Sequence, residues 1–390
     1  MIDYKLDKSN KITILFLSWR DIKAPKSGGA EIFTHEMLKR LNFNSYRIIH
    51  FSPIFENAKS IEIIDNITYL RCGNIISVIS FARKFYKTCH ESIDYVVDQC
   101  NTHRFFTFAW VESSKRIFFI HQLTKDIWFK NTSFPINIFG YLTETLFLKM
   151  NKDDYTITVS SSTRNDLFNV GFNKNRVFIL PEGIGFKHWL KKDFYPKKSY
   201  PVFGYVGRFS SYKGIDDTIR AYSMIKREYP DSKLWIIGKK DTKYVNEVLI
   251  PILNEENLSY DDRGQDGNVR FYGFLPQNEK LKLMSQMNAL VFPSRREGWG
   301  LTITEAAAVG TPSIVYNSPG LIDAVDFGKA GYLCSENNEE NLFQKMKKVV
   351  EDKKQYDLIR KNAYDFSLEF KWDNTSESFD EFISSIRSAE

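Results

Sequence analysis

Two acids bracket a turn in the segment Arg-Glu-Gly-Trp-Gly-Leu-Thr-Ile-Thr-Glu-Ala-Ala-Ala-Val-Gly-Thr-Pro, residues 296–312: Glu297 before the Gly-Trp-Gly turn and Glu305 after it. The turn predicts that Glu297 lies in a loop and Glu305 on a short helix. Gly310 closes that helix and Pro312 stands just beyond, as helix ends prefer. The N–H groups at Gly300, Leu301 and Thr302 then form the helix start, where an anion is welcome. A diphosphate docked there would have Glu297 on one side and Glu305 on the other. A carboxylate accepts hydrogen bonds from two vicinal hydroxyls, and both a ribose and a hexose offer such a pair. A nucleotide diphosphate sugar carries one at each end of its diphosphate.

Cations complete the chemistry. In Gly-Arg-Phe-Ser-Ser-Tyr-Lys-Gly, residues 207–214, Arg208 and Lys213 flank a short loop that opens a helix. Two cations beside a helix start suit a diphosphate. Neither the GxxxxGK[ST] loop nor GxGxxG is present. Near the start of the chain, Gly28 and Gly29 precede another expected helix at Ala30 and are candidates for phosphate or acceptor contact.

These loops need strands to hold them. Short β-branched and aromatic runs at 12–17, 46–51, 94–98, 116–120, 155–159 and 176–180 alternate with helical patterns such as 30–41 and 138–150. That rhythm predicts βαβ units and a parallel sheet. It restarts at 202–207 and continues through 234–238, 269–273, 289–293 and 313–316. The expectation is an α/β chain of two doubly wound domains, 1–195 and 196–372, facing each other across a cleft. The Lys/Pro/Tyr-rich stretch 191–201 would be the hinge. A terminal amphipathic helix at about 373–390, with Phe379, Phe382 and Ile386 at helical spacing, would pack back on the first domain.

Composition bounds the rest. The chain has 390 residues, 43% of them hydrophobic. Its four cysteines, Cys72, Cys89, Cys100 and Cys334, form no CxxC pair, which fits a reducing, cytoplasmic setting better than a zinc site or disulfide framework. No signal peptide is apparent, and no run approaches the roughly 20 apolar residues of a membrane span. Residues 1–200 hold 29 Lys/Arg against 19 Asp/Glu, the remainder 25 against 29. A basic first half suggests an anionic partner or simply a solvated face. A nucleic-acid role lacks any recognisable module.

The order Gly-Gly-Ala-Glu (28–31), Gly-Arg…Lys-Gly (207–214) and Glu297…Glu305 resembles the family 4 retaining glycosyltransferases of the GT-B fold, over nearly the whole chain. The resemblance implies two Rossmann-like domains and transfer of a hexose from a UDP- or GDP-linked sugar to a glycan or lipid-linked acceptor. It gives Glu297 to the donor sugar, Glu305 to the ribose, and Arg208 and Lys213 to the pyrophosphate. Phe274 and Leu275 match a loop whose backbone contacts the base. His121 matches a histidine near the sugar's reactive carbon, giving a candidate catalytic set of Glu297, His121, Arg208 and Lys213. Asn101 and Thr102, after the strand at 94–98, are acceptor-side candidates. Two departures stand out: Glu182 and Gly185 replace an Asn and an Asp that the family commonly carries, and Lys239 and Lys240 replace a Gly-containing turn.

No Asp-x-Asp triplet occurs, and two fixed cations can take a metal's place at a leaving diphosphate, so the expectation is no cofactor and no metal. The leaving phosphate itself would take the acceptor's proton. The segment 77–91 mixes aromatic and basic residues and suits an anionic membrane surface, to which the Phe-rich region 127–150 would add, unless either segment is ordinary core. Epimerases share the fold but need no acceptor. A non-catalytic nucleotide-sugar-binding subunit would not need both pairs of charged residues.

Overall fold

A computed structural model describes residues 4, 6–7, 9–100, 103–125, 127–131, 133–261 and 267–388. The chain divides into two compact units, Met1–Gly183 with Lys371–Glu390, and Ile184–Phe370. Each is a doubly wound α/β unit of GT-B type.

Unit 1 contains β1 (Ile12–Leu17), β2 (Tyr46–Ser52), β3 (Ile61–Ile64), β4 (Ile67–Arg71), β5 (Tyr95–Cys100), β6 (Arg116–Ile120), β7 (Tyr155–Thr158) and β8 (Val177–Ile179), in the order β3-β4-β2-β1-β5-β6-β7-β8. Unit 2 contains β9 (Val202–Val206), β10 (Lys233–Ile237), β11 (Tyr260–Asp261), β12 (Val269–Gly273), β13 (Ala289–Phe292), β14 (Ser313–Val315) and β15 (Tyr332–Leu333), in the order β11-β12-β10-β9-β13-β14-β15. Among the described residues, only β3 and β4 pair antiparallel. Central strands such as β5 and β9 are buried along their whole length, because helices cover both faces of a parallel sheet. The strand order reverses at β1 in one sheet and β9 in the other. Ligands of such sheets bind at this switch point, beyond the carboxyl ends of the strands.

The hairpin β3–β4 was not legible as strands. Its turn is Asp65-Asn66, at φ 49° and 64°, a left-handed pair that lets two residues join antiparallel strands. Behind it Arg71 is fully buried and bonds Asp21, which also accepts from Ser52 Oγ at 3.0 Å. This pair pins the loop after β1.

The chain passes from unit 1 to unit 2 at 183/184, earlier than expected. Ile184 N–H donates to Phe370 O at 3.2 Å, and Tyr364 Oη donates to Trp189 O at 2.8 Å. The 191–201 stretch is therefore no free hinge. Tyr195 N–H donates to Ser285 Oγ at 3.0 Å, and the Lys197 ammonium bonds Ser285 O, Met287 O and Thr311 Oγ1 within unit 2. The last helix, Trp372–Ser388, lies in unit 1 with Phe379 against Phe16, ring centroids 5.9 Å apart.

Helix Val78–Cys89 corrects one surface expectation. Its Val78, Ala82 and Tyr86 are core, and Phe81 and Phe85 pack on the same cluster. Ser80, Arg83, Lys84, Lys87 and Thr88 face outward. Helix Ile136–Lys149 is the reverse. Gly140 and Leu148 face the protein, and the Glu144 carboxylate accepts from the N–H groups of Thr124 and Lys125. Phe134, Phe139, Leu142 and Leu146 are each at least 60% exposed. Among the described residues, no helix is long and apolar enough to cross a membrane.

Candidate functional site

The loops after β9 and β13 meet because β13 pairs with β9, Leu290 opposite Gly204. Arg295 N–H donates to Tyr212 O at 2.9 Å, joining them. Gly214 ends the first loop at φ 72°. A Cβ there would stand 2.5 Å from Pro293 O, so only glycine permits this approach. Beneath the loops the Tyr205 and Phe292 rings stack, 5.7 Å between centroids.

On this base Lys213 and Glu297 form an ion pair, Nζ to Oε1, with both side chains largely buried. The ammonium also lies 5.0 Å from the Tyr212 ring and 5.4 Å from that of Phe292. Burial opposes the charge on Lys213, but the neighbouring Glu297 carboxylate outweighs it, and the lysine pKa is raised. Glu297 is fixed through its backbone, with N–H to Pro319 O at 3.2 Å. Trp299 anchors the Gly-Trp-Gly turn by packing on Phe370, ring centroids 5.0 Å apart.

Gly300 caps the helix Leu301–Ala308 at φ 103°. The N–H groups of Leu301 and Thr302 are in the first turn, which a helix leaves without internal partners. Glu305 is on the same helix and pairs with Lys280 Nζ at 2.8 Å. Lys280 escaped the sequence reading. Its signal was its place in the first turn of helix Gln277–Gln286, right after the loop of Phe274 and Leu275. Phe274 is 81% exposed and Leu275 half-buried. Arg208 is exposed and makes no ion pair among the described residues, while its carbonyl accepts from Tyr205 Oη at 2.9 Å. One patch of unit 2 thus brings together Arg208, Lys213, Glu297 and the start of the helix that carries Glu305.

Unit 1 places its candidates at the carboxyl ends of its own strands. Gly28 caps the helix Gly29–Leu38, and its N–H donates to Glu31 Oε2 at 2.6 Å. Glu31 also pairs with Arg20 at 3.1 Å, so this helix start already holds a carboxylate of its own chain. His121 follows β6 and is 8% exposed. It lies between Phe119, 4.5 Å between centroids, and the edge of Phe33 at 5.3 Å. Its Nε2 is 3.2 Å from Gln99 Nε2, a partner the sequence did not reveal. Burial pushes its pKa down to about 3, so the ring is neutral at physiological pH. Glu182 is also buried, its Oε2 without a hydrogen-bond partner, and burial pushes its pKa up to about 8. Asn101 and Thr102 lie outside the described residues.

Known proteins resemble this chain in sequence and in fold. Residues 188–366 match the family described as glycosyl transferases group 1. An uncharacterized glycosyltransferase of Methanocaldococcus jannaschii is 27% identical over 356 residues, 90% of this chain and 92% of that protein. Among solved structures, sucrose-phosphate synthase from Thermosynechococcus elongatus has a TM-score of 0.77 at 17% identity, covering 97% of this chain and 100% of that one. Anabaena HepE, solved in complex with UDP-glucose, has a TM-score of 0.69 at 17% identity, covering 96% and 100%. The chain thus has the GT-B fold, and its residues 188–366 match the glycosyl transferases group 1 family.

Proposed function

We propose that this protein is a retaining, metal-independent glycosyltransferase that moves a hexose from a UDP- or GDP-linked sugar to a glycan or lipid-linked acceptor on the cytoplasmic side of a membrane. The observation that carries the reading is the Lys213–Glu297 pair beside the start of helix Leu301–Ala308, with Arg208 exposed next to it. An arriving diphosphate takes Lys213, Arg208 and the N–H groups of Leu301 and Thr302. Lys213 then releases Glu297, whose carboxylate becomes free to accept from the sugar's hydroxyls. Glu305 turns from Lys280 to the ribose, while Phe274 and Leu275 border the base. As the glycosidic bond to the diphosphate breaks, charge accumulates on the leaving oxygen, and the two cations and helix start stabilise it. The leaving phosphate takes the acceptor's proton.

The donor class is supported by the UDP-glucose complex of HepE. In unit 1 the role left to His121 is that of a neutral hydrogen-bonding ring, since burial keeps it uncharged. Gly28 and Gly29 are assigned to phosphate contact with the donor or to the acceptor, and Asn101 and Thr102 to the acceptor side. A lipid-linked acceptor is favoured by helix Ile136–Lys149, whose apolar face points to solvent and whose one outward charge is Lys149.

The test is acceptor-dependent release of nucleoside diphosphate from UDP-glucose and GDP-mannose in EDTA, with the product's anomeric configuration read by NMR. Retained configuration at an undiminished rate in EDTA is expected. Inverted product or loss of turnover in EDTA contradicts the reading, and sugar conversion without acceptor points to an epimerase.

A further inference from the structure

Unit 2 contains a cavity of about 390 Å³ that takes no part in the loops described above. Four cations line it: Lys198, Lys233, Arg270 and Lys282. The rings of Tyr200, Trp235 and Tyr272 wall it. Among the described residues no acid lines it, and none of the four cations has an ion pair. Their contacts are weak or neutral. Lys233 Nζ donates to Gly267 O at 3.2 Å, the Arg270 guanidinium lies 4.6 Å over Tyr272, and the Lys282 ammonium is 5.3 Å from the Tyr195 ring. Lys213 and Lys280, by contrast, are matched by Glu297 and Glu305. Four positive charges around one hollow, unmatched among the described residues, repel each other and favour an anion.

The arrangement follows from the sheet. Trp235 and Arg270 sit opposite each other on the parallel strands β10 and β12. Lys233 and Tyr272 lie two residues from them and share their face. Helix Gln277–Gln286 adds Lys282, and the segment entering β9 adds Lys198 and Tyr200. Lys233 opens β10 and Tyr200 precedes β9, so the cavity begins at the amino ends of these strands and runs along β12 as far as Tyr272. The loops carrying Arg208 and Glu297 follow the carboxyl ends.

We propose that this cavity binds a ring-bearing phosphate ester, of the sugar phosphate or nucleoside monophosphate class, at a site separate from the donor's. The lysines and Arg270 hold the phosphate through charge-assisted hydrogen bonds. The rings pack against the sugar or base. The volume lies within the usual range for small-molecule sites and far exceeds a bare phosphate.

The experiment is calorimetric titration of the full chain with glucose 6-phosphate and with AMP, which separates the two sources of the phosphate. Inorganic phosphate, glucose and adenosine serve as controls. Saturable binding of one ester is expected, weakened about tenfold or more in the Arg270→Gln/Lys282→Gln double variant and unchanged in Arg208→Gln. Each control should bind at least about tenfold more weakly than the ester. Absence of binding at millimolar ester, equal binding of a control, or loss in Arg208→Gln with retention in the double variant overturns the proposal. If circular dichroism shows the double variant misfolded, Lys198→Gln, at an exposed position, takes its place. It should weaken the ester severalfold, and unchanged affinity overturns the assignment.

Discussion

On the proposed reading, Lys213 and Glu297, paired with each other in this structure, exchange partners when a nucleotide binds. Glu297→Gln leaves Lys213 unpaired and ready for the diphosphate. Calorimetry should show UDP or GDP binding as tight or tighter than in the parent, while turnover falls on the order of a hundredfold. Lys213→Met should weaken the same nucleotide by about 1.5–3 kcal/mol, the usual worth of a charged hydrogen bond. Equal weakening in both variants would make the pair a structural one only. A second residue-scale consequence concerns pH. Glu182 has a native pKa of about 8 against 4.5 for an ordinary glutamate, so the native state holds a proton that the unfolded chain releases. Its stabilising contribution is complete below about 4.5 and is lost as pH rises through 8. His121 works in the opposite direction. Its native pKa is about 3 against 6.5, so stability falls as pH drops below 6.5. Thermal unfolding of Glu182→Gln should lack the decline between pH 6.5 and 8, which in the parent amounts to at most about 1.4 kcal/mol per pH unit. An unchanged slope would mean that Glu182 is already ionised. A protonated Glu182 also offers one donor and one acceptor, as the amide of the expected Asn would.

At the scale of elements, helices Val78–Cys89 and Ile136–Lys149 show where the sequence misleads. Both mix aromatic and basic residues, yet the first sends its aromatics into the core and the second sends them to solvent. The first carries Arg83, Lys84 and Lys87 on one side and the second only Lys149 among its bases, so in the first the charges mark the outer face, while in the second the neighbours decide. Against helix Ile136–Lys149 lies a loop held by Glu144, which leaves the apolar stripe outside. If that stripe meets lipid, replacing Phe139, Leu142 and Leu146 by Ser abolishes co-sedimentation with vesicles containing anionic lipid. The melting temperature should hold within a few degrees, since exposed side chains contribute little to the fold. Equal sedimentation of parent and variant would remove the helix from any membrane role. The elements carrying the candidate donor loops were far easier to read. β9 and β13 are fully buried runs, each followed by a glycine-marked turn, and both loops were placed from sequence alone. Lys280 and Gln99 were not, because each matters only through a partner distant in sequence, Glu305 or His121.

For the molecule as a whole, the repeated strand–helix rhythm was enough to expect two doubly wound units. Their boundaries were not, because a lysine-rich stretch reads as a linker whether or not it is bonded down. Lys197 is bonded down. The charge asymmetry of the linear halves dissolves for the same reason. The terminal acidic helix belongs to unit 1 and the lysines after 184 to unit 2. Unit 1 then holds 26 Lys/Arg against 23 Asp/Glu, and unit 2 holds 28 against 25. What distinguishes the units is therefore local, with the paired charges of the candidate donor site in unit 2. The most direct measurement is thermal unfolding of the full chain with UDP, GDP, ADP and dTDP and their sugar conjugates, each with and without EDTA. A ligand at about a hundred times its dissociation constant adds roughly 2.7 kcal/mol of stability. A shift with the UDP or the GDP family alone, unchanged by EDTA, is the predicted result. No shift with any nucleotide, or a shift only when metal is present, would contradict the donor site built on Arg208, Lys213, Glu297 and Glu305.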